Sequence, residues 1–127
     1  MPHAKLVVRR TAHAQLGGDQ ELVELATKLR GLIAGCLTCV DDGGNLQADD
    51  VEIEIVDRDW HHVGGDKYDV TLTVFAKEYP GRKDYLIVHT HTLSLGLNGL
   101  LPENVTGFVW VLLCPASFFE FGFEKKG

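Results

Sequence analysis

The chain opens MPHAKLVVRR, and the residue with the most distinctive latent chemistry is its second. With Met1 removed, Pro2 would present a secondary amine, and a free α-amino group has an ordinary pKa of roughly 7.7–8.0. An apolar pocket or neighbouring cations disfavour the protonated form. A neutral amine near physiological pH can then act as a general base on an acidic carbon beside a carbonyl. Methionine followed by proline is an ordinary substrate for removal of the initiator. Proline also suits the first position of a strand with no chemical role, so the dipeptide alone leaves both readings open.

The other reactive side chains carry weaker signals. Cys36 and Cys39 form CLTC, but at the C-terminal end of an expected helix, whereas a redox pair needs the N-terminal end, where the dipole lowers a thiol pKa. Zinc would need two further ligands at fitting spacing, and only Cys114 and scattered histidines remain, so no metal is expected. His89 and His91 would share a face on a strand but diverge on a helix. DDGGN (41–45) lacks the calcium-loop pattern and reads as a turn. The sequence has no glycine-rich phosphate loop and no serine nucleophile elbow.

These residues sit in 127 positions, the length of one domain spanning 1–127. A net charge of −6 argues against nucleic-acid and anionic-membrane partners, because no basic field draws phosphates in. No stretch approaches the ~20 apolar residues of a membrane span, and no signal-peptide core precedes the first strand. Three cysteines make no disulfide framework. A cytoplasmic protein with reduced thiols is the expectation.

Residues 3–10 read as a strand, 11–18 as a loop, and 20–37 as an amphipathic helix with Leu22, Leu25, Ala26, Leu29, Leu32 and Ile33 on one stripe. Alternation in 51–57 and 68–77 gives two more strands. Segment 83–101 is ambiguous: Leu93, Leu95 and Leu97 alternate as in a strand, while Leu86, Thr90, Leu93, Leu97 and Leu100 trace a helical stripe. Its length favours a helix. FVWVLLC (108–114) is uniformly apolar and predicts a strand buried on both faces. The result is an α+β protomer of order β-α-β-β-α-β. Right-handed crossovers make the strands of each half parallel within one four-stranded mixed sheet, with two helices on one face. The opposite face would be bare although the strands carry apolar residues there, and a homo-oligomer would cover it.

The Met-Pro start, the element order and the DRDWHHVGGD turn (57–66) resemble the tautomerase superfamily, which includes 4-oxalocrotonate tautomerase and macrophage migration inhibitory factor. Length and element order look closest to a little-characterised bacterial branch of it. The matching positions are Pro2 and, in the turn, Trp60, Gly64 and Gly65. The resemblance implies a homotrimer with active sites between subunits around Pro2, no cofactor, and a small carbonyl compound such as a 2-oxo acid as substrate. It further implies arginines that grip a carboxylate or polarise a carbonyl, a task suited to the guanidinium fork. Candidates are Arg58, Arg9 and Arg10; on a strand the last two point to opposite faces, so at most one faces the site. Trp60 could wall off Pro2 from water, and His61 or His62 could supply a polar contact. Gly64 and Gly65 suit a turn needing positive φ. A non-catalytic trimeric binding or structural protein that kept the proline as a strand starter is the alternative.

Overall fold

The structure, a computed structural model, describes residues 2–38, 45–58, 67–115 and 121–122. Its elements are β1 (His3–Arg9), α1 (Asp19–Leu37), β2 (Glu52–Arg58), β3 (Val70–Lys77), α2 (Pro80–Asp84), α3 (Leu86–Leu100) and β4 (Gly107–Cys114). The four strands form one sheet in the order β2-β1-β3-β4. β1 and β2 are parallel, as are β3 and β4, while β1 and β3 meet antiparallel at the centre. The expected mixed α+β sheet is therefore present, each parallel pair bridged by helix.

Period-two alternation sends Ala4, Leu6 and Val8 of β1 and Val70, Leu72 and Val74 of β3 to the core face, where all six are fully buried. α1 lays Leu22, Leu25, Leu29, Ile33 and Leu37 on them, and α3 adds Leu93 and Leu97. Gly17 and Gly18, both near φ +90°, make the sharp entry to α1. Asp19 and Glu21 in the first turn complement the positive end of the helix.

Two expectations need correction. Segment 83–101 is helical over Leu86–Leu100 as expected, but Lys83 and Asp84 belong to a separate short helix. Proline at the first turn starts α2 at Pro80, and Tyr85 (φ −114°, ψ 25°) breaks the path before α3 begins. Among the described residues there are therefore three α-helices. Nor is β4 buried on both faces: it is an edge strand, with Val111 buried, Trp110 57% exposed and Leu112 41% exposed. Its apolar run serves two surfaces, the core and the open face of the sheet. That open face carries Glu52 and Glu54 on β2, His3 and Lys5 on β1, Phe75 on β3, and Trp110 and Leu112 on β4. Its apolar residues lie towards the β4 side.

Candidate active site

Pro2 lies immediately before β1 and is fully buried. Its carbonyl accepts a hydrogen bond from the Glu52 N–H at 3.1 Å, which fixes the start of β1 against the start of β2. Counting back from the buried Ala4 puts Pro2 on the core side of the strand. While Met1 remains attached, the Pro2 nitrogen is an amide without basicity; the chemistry needs that bond cut.

The arginines singled out in the sequence gather at the other end of the sheet. Arg9 and Arg58 are register partners at the last positions of β1 and β2. Seven residues at about 3.3 Å each put Arg9 roughly 23 Å from Pro2. Arg9 donates its backbone N–H to the Asp69 carbonyl at 2.8 Å, and its Nη1 lies 3.8 Å from Asp69 Oδ1. Arg10 opens a 3-10 turn and is exposed; Arg58 is half-buried and engaged by neighbours. At this end too, His13 Nε2 sits 2.7 Å from Asp57 Oδ1, yet the contact lacks hydrogen-bond geometry and the nitrogen is buried without a hydrogen bond. One protomer thus does not bring Pro2 together with Arg9, Arg10 or Arg58. A site containing both sets needs two chains. Trp60, His61, His62, Gly64 and Gly65 lie outside the described residues, as does Cys39.

A buried cation at Pro2's end of the sheet is one the sequence reading passed over. Arg82 of α2 is the buried charged residue among those described, 2% exposed. Its Nε donates to the Leu37 carbonyl at 2.7 Å and its Nη1 to the Lys77 carbonyl at 2.8 Å. Its guanidinium lies 4.7 Å from the centre of the Tyr79 ring, against which Lys77 Nζ also rests at 5.1 Å. The signal available was only YPGR, which reads as a turn.

On the open face beside Pro2, His3 lies between two carboxylates, 3.7 Å from Glu52 and 3.8 Å from Glu54. Burial pushes the Cys36 thiol up, which favours the protonated, unreactive form. Among the described residues no group of three metal-binding side chains converges. His89 and His91 lie on α3 and diverge: His91 is exposed, whereas His89 Nε2 is buried without a hydrogen-bond partner. An open groove of about 570 Å3 runs between α3 and β4, lined by Ile87, His91, Ser94, Phe108 and Trp110 among others, and Pro2 is not part of its lining.

No family model matches the chain, and no curated protein matches it. Solved structures do. A native fused 4-OT superposes with a TM-score of 0.61 at 13% identity, covering 94% of this chain and 92% of that one. Malonate semialdehyde decarboxylase gives 0.59 at 14% identity, with coverage of 94% and 89%. A wild-type fused 4-OT that forms an asymmetric trimer gives 0.58 at 16% identity, with coverage of 94% and 92%.

Proposed function

We propose that this chain, which has the tautomerase fold, belongs to the tautomerase superfamily and is a cofactor-free tautomerase or isomerase, with Pro2 as its base once Met1 has been removed. The observation that carries this reading is the placement of Pro2: buried at the head of a central strand, out of the water that would favour a protonated amine. Removing Met1 converts the Pro2 nitrogen from an amide to a secondary amine. The amine takes a proton from the carbon beside the carbonyl of a small enolisable 2-oxo acid or related compound. Charge moves onto the carbonyl oxygen as an enolate, and the protonated amine returns the proton to a different carbon. Bonds and protons balance without an added reactant.

The arginines enter this reading from a neighbouring copy. A homotrimer covers Phe75, Trp110 and Leu112 of the open face, and one fused 4-OT neighbour forms a trimer. An arginine of a second chain, Arg58 or one of Arg9 and Arg10, would then meet the substrate's carboxylate or its developing enolate beside Pro2. Trp60 would shield Pro2 from water and His62 would supply a polar contact, with Gly64 and Gly65 serving the turn geometry. No described helix is long and apolar enough to cross a membrane, and a cytoplasmic setting fits the reading.

The test is ketonisation of phenylpyruvate or 2-hydroxymuconate by Met1-free protein, wild type against Pro2→Ala. A general base is worth about 10²–10⁴-fold, and a loss of that size is expected. Equal rates would overturn the reading. They would leave a non-catalytic trimeric binding or structural protein.

A further inference from the structure

α3 is apolar on more than the side it lays against the core. No Asp, Glu, Lys or Arg stands between Leu86 and Leu101. Leu93 and Leu97 are buried against the sheet, yet Ile87 is 85% exposed and Leu95 59%, with Val88 exposed beside them. Residues four apart lie on one side of a helix, so Ile87, His91 and Leu95 form a continuous outer stripe. That stripe points away from Leu93, on the helix-bearing side of the sheet. A homotrimer that covers the opposite, open face leaves it in water.

An amphipathic helix that lies on a membrane carries cations on its polar face. α3 carries neither Lys nor Arg, in a chain of net charge −6. The face fits a second copy of itself better. With a two-fold axis through His91, two α3 helices run antiparallel, so Ile87 of each copy meets Leu95 of the other. The groove lined by Ile87 and His91 offers that leucine a recess. Two copies of negative net charge meet here without like-charge repulsion, because the stripe has no carboxylate. The same register complements charge at the ends. Lys83 of one copy comes opposite Gly99 of the other, in the last turn of α3, where the negative end of the helix has no basic residue of its own and the exposed Glu103 follows. Ile87, Val88, Leu95 and the exposed Tyr85 offer on the order of 400 Å2 of side chain per copy. A pair, with His91 and Asn98 included, would bury about 1,000 Å2, the size a specific interface must clear.

We propose that the outer face of α3 is a homotypic interface, a two-fold antiparallel contact between the α3 helices of two copies of this chain. It is separate from any contact on the open face of the sheet. Where the open faces assemble a trimer, it joins such trimers in pairs. It does not depend on the chemistry of Pro2.

The test is disulfide cross-linking in a chain whose own cysteines are replaced (Cys36→Ser, Cys39→Ser, Cys114→Ser). A residue on a two-fold axis meets its own copy, so His91→Cys should form a covalent dimer on mild oxidation. Its rate should exceed that of Thr27→Cys, on the exposed side of α1, by at least about ten-fold, because pairing raises the effective concentration of the thiols. Ile87→Cys mixed with Leu95→Cys should cross-link better than either alone. In the chain with its native cysteines, Leu95→Glu should halve the mass of the assembly in sedimentation with circular dichroism unchanged. This measurement decides if the cysteine-replaced chain does not fold. The inference is overturned if His91→Cys cross-links no faster than Thr27→Cys, or if Leu95→Glu leaves the assembly mass as in wild type. Wild-type chain that floats with phosphatidylcholine vesicles without self-association would assign the face to lipid and overturn it equally.

Discussion

Replacing Trp110 with alanine should weaken the proposed homotrimer while leaving the protomer folded. Trp110 projects from the middle of β4 on the open face, registered beside Thr73, and is 57% exposed in the single chain. A tryptophan side chain offers up to about 250 Å2, so roughly 140 Å2 would pass out of water when a second copy covers it. At about 25 cal/mol per Å2 that is about 3.5 kcal/mol for each interface, an upper value. Alanine forfeits most of it, which weakens association at each interface roughly 100-fold. Within the protomer the ring meets Phe108 edge-on at 6.2 Å, worth about 1 kcal/mol. Sedimentation across a dilution series should show dissociation moving to a concentration about three decades higher, because a trimer's three interfaces weaken together, with unchanged far-ultraviolet circular dichroism. The reasoning fails if the variant dissociates where wild type does, or if wild type is monomeric at the highest concentration.

Leu72→Ala empties a fully buried position at the centre of β3 and should lower unfolding free energy by about 2–5 kcal/mol in a denaturant titration. Gly107→Ala would place its Cβ 2.5 Å from the Val70 carbonyl oxygen, where the β3–β4 ladder starts; about 1–3 kcal/mol of destabilisation is expected from thermal melts. Because burial raises the Cys36 thiol's pKa while Cys114 is exposed, a maleimide at neutral pH should label Cys114 well before Cys36. Cys36 labelling should accelerate as pH rises and its thiolate appears.

The periodicity of Leu22, Leu25, Leu29 and Ile33 sufficed to find α1, and the alternation of Val51, Ile53 and Ile55 against Glu52 and Glu54 sufficed for β2, because each pattern reports a single buried face. The break at Tyr85 was hidden: the apolar stripe of α3 runs on smoothly from it, and Pro80 reads equally as turn or helix start. The edge position of β4 was hidden for a different reason. An apolar residue on the open face looks the same in sequence whether its partner is the core or a second chain. For the site, the position of Pro2 at the head of β1 was legible from its place in the chain, while its role is part of the proposal. The separation of Arg9 and Arg58 from it follows from strand register, which hydrophobic patterning constrains to a face but not to an end. Arg82 was illegible, because a buried arginine satisfied by backbone carbonyls leaves no mark on composition or spacing.

All of the proposed chemistry hangs on the bond between Met1 and Pro2. The most direct measurement is the intact mass of the purified protein. A mass short by one methionine residue, giving a free Pro2 amine, is the expected result. A mass that retains methionine leaves the Pro2 nitrogen an amide and contradicts the proposed base outright.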